Sequence, residues 1–139
     1  MLEVAARPIG GLCAKALRFQ NSTGLEELIL RHAAGEDVSG YTREESASGV
    51  MMIPIPANGI YQSAEGIEAA SSVPHITEVA ITAKEGQRLR KLPEGNSYLG
   101  FIFGRADTPE LVEDALRTAH SRLKFHLAPE LSVMGSRSR

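Results

Sequence analysis

The segment Glu3-Val4-Ala5-Ala6-Arg7-Pro8-Ile9-Gly10-Gly11 holds the residues best suited to chemistry. A carboxylate at a strand end can hold Mg²⁺, an arginine four residues later can meet phosphate oxygens, and paired glycines can present backbone amides to an anion. That set suits nucleotide chemistry. One acid, one arginine and two glycines equally describe a surface strand and turn, and a second metal ligand is missing. Other candidates are dispersed. His32, His75, His120 and His126 have none of the compact spacings of a zinc site, which leaves them structural or solvent roles. Cys13, the only cysteine, has Lys15 and Arg18 nearby but no partner base, and a lone cysteine is ordinarily a small buried hydrophobe. Ser97 follows Gly95-Asn96 without the spacing of a nucleophile elbow. Arg88, Arg90 and Lys91 lack the interleaved aromatics that stack bases, so they read as a solvated loop.

The elements that must position these residues are legible as patterns. Leu2-Glu3-Val4 reads as a strand, and Leu12 to Phe19 as a short helix. Thr23-Gly24-Leu25-Glu26 has the form of a capping box. The helix it opens carries Leu25, Leu28, Ile29, His32 and Ala33 at helical spacing, with Gly35 as its stop. Glu36 to Ser48 reads as an exposed connector. Val50 to Pro56 fits a buried strand that ends near Pro54, and Asn58-Gly59 turns into a brief strand over 59–62. Ser63 would cap a short helix closed by Pro74, with Ile67 and Ala70 facing inward. Thr77 to Lys84 alternates as a strand with one wet face, and Arg88 to Asn96 reads as a flexible connector. In the next strand, Ser97 to Arg105, Gly100 and Gly104 leave room for a close neighbour.

Thr108-Pro109 is a strong helix start, followed by an apolar stripe of Leu111, Val112, Ala115, Leu116, Ala119 and Leu123. Phe125 to Leu127 is a last short strand, and Gly135 to Arg139 a frayed tail. From Gly49 onward the order is strand, helix, strand, strand, helix, strand. That is the α+β, ferredoxin-like split βαβ sheet (βαββαβ), with the N-terminal helices packed beside it.

Composition narrows the function classes. With 15 Lys and Arg against 17 Asp and Glu the net charge is −2, so bulk electrostatics recruits neither nucleic acid nor a membrane surface. No apolar run is long enough to span a bilayer, and the first residues lack the order of a signal peptide, so the chain reads as cytoplasmic. Its 139 residues suffice for one core, built mainly from aliphatic side chains because Trp is absent and aromatics are 5%. By residue chemistry alone, too few polar groups converge for a complete enzyme.

The segment from Glu3 to Gly11 resembles the last catalytic motif of ATP-grasp ligases, an acid-x-Asn-x-Arg run that closes the nucleotide site. The stretches Gly49 to Pro56, Glu65 to Glu68, Pro74 to Val79 and Ser97 to Phe103 resemble, in order and spacing, the C-terminal domain of carboxylate–amine ligases, including L-amino acid ligases. The resemblance covers nearly the whole chain. It implies a reaction in which ATP and Mg²⁺ activate a carboxylate as an acyl phosphate that an amine attacks. It implies Glu3 as a Mg²⁺ ligand, Arg7 as the catalytic contact to phosphate or acyl phosphate, and Gly10 and Gly11 as backbone holders of the substrate carboxylate. The family's Asn position is Ala5 here, leaving Glu3 as the segment's one metal ligand.

The resemblance also implies what lies elsewhere, namely the nucleotide-cradling lysines, the adenine pocket and the upstream metal acid. The expectation is therefore a C-terminal portion of an ATP-grasp ligase, inactive alone and binding neither Mg²⁺ nor ATP tightly by itself. Its partners would be the ATP-grasp core or a second copy of the chain, with a small carboxylate and an amine as substrates. In this reading 1–48 is the end of the ATP-grasp core plus a connector, 49–128 the ferredoxin-like domain, and 129–139 a flexible tail. The alternative is an independent, non-catalytic ferredoxin-like binding or oligomerisation module.

Overall fold

A computed structural model describes residues 10, 12–95 and 97–130. Glu3, Arg7, Gly11 and the tail from residue 131 lie outside the described residues. The class is α+β: two three-stranded antiparallel sheets, a two-stranded ribbon and three α-helices. In chain order the strands are β1 (Arg18–Phe19), β2 (Thr23–Gly24), β3 (Ala47–Ile53), β4 (Gly59–Glu65), β5 (Ile76–Ile81), β6 (Arg88–Leu89), β7 (Gly100–Ala106) and β8 (Lys124–Ala128). The helices are α1 (Leu25–Ala33), α2 (Ile67–Ser71) and α3 (Pro109–Ser121). No helix among the described residues is long and apolar enough to cross a membrane.

The larger body is built on β7, whose glycine spacing the sequence made conspicuous. It is the centre of a sheet ordered β3-β7-β5, and Gly104 on it lies opposite Gly49 on β3. Both glycines face α3. A Cβ on Gly49 would sit 2.9 Å from Val112 Cγ1, and one on Gly104 would sit 3.4 Å from the same atom. The paired absence of side chains lets the Val112–Leu116 ridge of α3 rest against the backbone of the sheet. That helix starts as its sequence dictates, with Pro109 in the first turn and the Thr108 hydroxyl accepting from the Leu111 amide at 3.4 Å. Val112, Ala115, Leu116 and Ala119 form its buried stripe.

The second sheet, ordered β6-β4-β8, contributes Tyr61 and the wholly buried Leu89 to one core shared with Ile53, Ile102, Ala70, Val73 and the α3 stripe. Burial raises the Tyr61 phenol above its ordinary pKa. A corner joins the two bodies. Gly66, the residue before α2, has φ +81, and any Cβ there would strike the Arg122 carbonyl at the end of α3. Arg122 in turn donates to the Ala69 carbonyl at 2.9 Å.

Several expectations change. A single ferredoxin-like βαββαβ sheet is not shown. The pairings β4–β8 and β5–β7 are present, but the parallel pairing of β4 with β7 that would merge them is not found among the described residues. β3 holds that flank of β7 instead. The reason is local: residues 59–65 form a full seven-residue strand, so Ser63 lies in β4 and the helix begins after Gly66. Arg88 to Asn96 is not wholly connector, because Leu89 anchors β6 to β4.

Near the N-terminus, only Cys13–Ala16 is helical, as a 3₁₀ turn, and Thr23 is buried in β2 rather than capping α1. Gly24 takes the cap position with no side-chain bond. The other end of α1 is as expected: Gly35 at φ +85 closes it, with the Gly35 amide bonded to the His32 carbonyl and the Glu36 amide to that of Arg31. Hydrogen bonds first to Glu27 and then to Glu36 raise the Arg31 guanidinium further above its usual pKa. None of the α1 residues is buried.

The β7 geometry yields two stability expectations. Gly100→Ala would drive a methyl into the Ala80 carbonyl across the β5–β7 pair, so urea unfolding should show a loss of about 1–3 kcal/mol. Thr108→Ala should cost about 1 kcal/mol in the same assay through the lost α3 cap.

Candidate functional site

The polar residues that converge lie on the face of the β3-β7-β5 sheet opposite α3. Antiparallel register puts Ser48 beside Arg105, and Val50 beside Phe103. A bulge between Ile76 and Glu78 brings Glu78 opposite Phe103. Across this face lies the 3₁₀ turn, so the N-terminal segment does cover part of the sheet. The Ser48 hydroxyl donates to the Ala16 carbonyl at 2.6 Å, and Lys15 Nζ stands 5.3 Å from the centre of the Phe103 ring. Lys15 also donates to both carboxylate oxygens of Glu78, at 3.1 and 3.2 Å.

Between these groups opens a cleft of about 380 Å³, with Arg18, Thr77 and Arg105 completing its polar lining. Arg105 pairs with Glu44, their side chains 31% and 25% exposed, whereas Lys15 and Glu78 are 41% and 46% exposed. Arg18 lines the cleft with no ion pair among the described residues. Three cations, a serine and a threonine suit a small anionic group such as a carboxylate or phosphate. Two of those cations are already neutralised by the protein's own acids.

The residues singled out from sequence enter this picture only at one point. Gly10 is exposed, and its carbonyl accepts from the Cys13 amide at 3.3 Å at the entry to the 3₁₀ turn. Glu3, Arg7 and Gly11 lie outside the described residues, so the four are not brought together here. Among the described residues no cluster of three or more His, Cys, Asp or Glu could hold a metal ion. The histidines are scattered in space as in sequence. His126 Nε2 lies 3.0 Å from Glu65 Oε1 across the β4–β8 sheet, and His75 adopts φ +71 while its carbonyl accepts from the Arg105 amide at 2.8 Å.

Sequence reasoning missed Lys15, Arg18, Ser48, Glu78 and Arg105 as a group. The basic spacing of Lys15 and Arg18 was visible, but nothing local marks a partner 63 residues away.

Two sheets sharing one core, a helix seated on a glycine pair and a polar cleft beneath an N-terminal turn make up an α+β domain. The chain belongs to the family described as L-amino acid ligase C-terminal domain 2, whose model matches residues 51–128. Among solved structures it is similar to an L-amino acid ligase from Bacillus licheniformis, at 21% identity and TM-score 0.65, over 76% of this chain and 26% of that one. It is also similar to a phosphoribosylglycinamide synthetase from Anaerococcus prevotii, at 20% identity and TM-score 0.60, over 73% of this chain and 26% of that one. The chain thus spans about a quarter of the length of either enzyme. No curated protein matches it.

The two ion pairs differ enough in exposure to be separated by experiment. A double-mutant cycle on Glu44 and Arg105 should give a coupling of about 1.5–3 kcal/mol, because that pair is partly shielded and charge-assisted. The Lys15–Glu78 cycle should give about 0–1 kcal/mol and vanish in high salt.

Proposed function

We propose that this chain is the C-terminal portion of an ATP-grasp ligase of the amino acid ligase type, in which ATP activates a carboxylate as an acyl phosphate for attack by an amine. The observation that carries this reading is the family match over residues 51–128. The portion acts in the cytoplasm, caps the active site of the parent enzyme and contributes the polar cleft as one wall. In this reading Arg7 contacts the phosphate or the acyl phosphate, and Gly10 and Gly11 hold the substrate carboxylate. Glu3 would be a Mg²⁺ ligand, and no step is assigned through the ion.

Phosphoryl transfer depends on positioning and on stabilising charge. Here Lys15 and Arg105 each spend their charge on an internal carboxylate, which leaves Arg18, among the described residues, as the cation lining the cleft without an ion pair. That arrangement supports a chain that completes a site rather than one that catalyses alone. Non-catalytic binding or assembly by an independent module is the competing reading.

Phosphate release from Mg-ATP across a panel of amino acids separates these possibilities. The chain alone is expected to give no amino-acid-dependent release, and the same chain within the longer ligase that this proposal requires is expected to give it. Arg7→Ala in that longer protein should lower the rate at least about a hundredfold. Turnover by the isolated chain, or a promoter and ribosome site directly before Met1, would overturn the proposal.

A further inference from the structure

We propose that β3 is a self-association edge, on which a second copy of this chain pairs β3 to β3 antiparallel and joins two three-stranded sheets into one of six strands. Among the described residues β3 is an outer strand, paired on one side only. The Arg105 amide donates toward β5, to the His75 carbonyl, so the odd residues of β7 serve β5 and the even ones serve β3. Register then pairs Ala47, Gly49, Met51 and Ile53 with those even residues. The amides and carbonyls of Ser48, Val50 and Met52 consequently point away from β7, along the outer edge of the sheet. Beside that edge runs a groove of about 510 Å³ between β3 and α3, apolar at Pro109, Val112 and Leu116 and acidic at Glu45, Asp107 and Glu113.

Proteins protect sheet edges with charge, bulges or shortness. The other outer strands follow this rule. β5 carries Glu78 and a bulge, β8 carries Lys124 and His126, and β6 has two residues, one of them Arg88. β3 follows none of it: seven unbulged residues, Ala-Ser-Gly-Val-Met-Met-Ile, contain no charge, and Met52 is 38% exposed.

A second copy fits the edge because the pattern is its own complement. Antiparallel pairing centred on Val50 sets Val50 against its twin and Ser48 against Met52, so all three outward residues on each copy find partners. Glu44 and Glu45 then fall opposite Pro56 and Ile55 of the other copy, so neither glutamate faces its twin in the strand register. Pro54, which has no amide hydrogen, stops the pairing one residue beyond the strand. Met51 of the second copy comes beside Gly49, over the groove bounded by Val112 and Leu116. This inference is independent of the ligase reading, since it concerns the strand edge and not the cleft.

The test uses the full chain and two charge variants. By analytical ultracentrifugation, wild type is expected to show a concentration-dependent dimer. Val50→Lys and Val50→Glu alone should each weaken it by about tenfold, because like charges face each other at the axis, and an equimolar mixture should recover it as the heterodimer. Amide exchange on the wild type gives a second readout that needs no variant: protection of Ser48, Val50 and Met52 should rise with concentration, while Gly49, Met51 and Ile53 stay protected throughout. A wild type that is monomeric at all concentrations, a dimer indifferent to both charges, or an edge protected only when an ATP-grasp core is added would overturn the proposal.

Discussion

The structure depends on the approach of α3 to the β3-β7-β5 sheet, which is possible because Gly49 and Gly104 stand opposite each other under Val112. With any larger residue at Gly49, the Val112–Leu116 ridge would have to lift. The stripe through Ala115 and Ala119 would then lose its contact with the wholly buried Ile102 and Leu99 that fill the centre of the core. One face of the sheet is thus closed by a helix held at short range. The opposite face carries the buried Phe101 and Phe103 and, around them, the polar groups of the cleft.

That division explains why the cleft lies where it does. Phe101 and Phe103 project away from α3 and are covered partly by one another and partly by Lys15, whose ammonium sits over an aromatic ring while reaching Glu78. Arg105, two residues along the same strand, shares that face and pairs with Glu44 in the segment leading into β3. The polar lining is therefore a by-product of strand alternation on β7, organised by a short turn laid across it.

The sequence disclosed the elements with strong periodicity and strong punctuation. The start of α3 was legible because Thr108 and Pro109 act within one turn, and the end of α1 because Gly35 can adopt a left-handed conformation. The ligase resemblance was legible in the order of stretches that the matching family model also spans. What failed to show were choices settled by distant partners. Residues 59–65 are polar enough at Gln62, Ser63 and Glu65 to look like a turn into a helix, yet pairing with β8 holds them as strand. Leu89 hides between two arginines and becomes core only because β4 is there to receive it. The cleft was invisible for the same reason: its ion pairs join residues 63 and 61 positions apart. Of the four residues first singled out, only Gly10 falls among the described residues.

The corner at Gly66 and Arg122 carries a consequence for how the molecule comes apart. The entry to α2 and the exit from α3 touch backbone to backbone there, and the Arg122 guanidinium fastens Ala69 as well. Because α2 follows β4 and α3 follows β7, each sheet sends a helix to the same spot. Neither can open without pulling on the other. The two sheets therefore constitute one cooperative unit rather than two foldons, with a single unfolding transition even though no strand is shared between them.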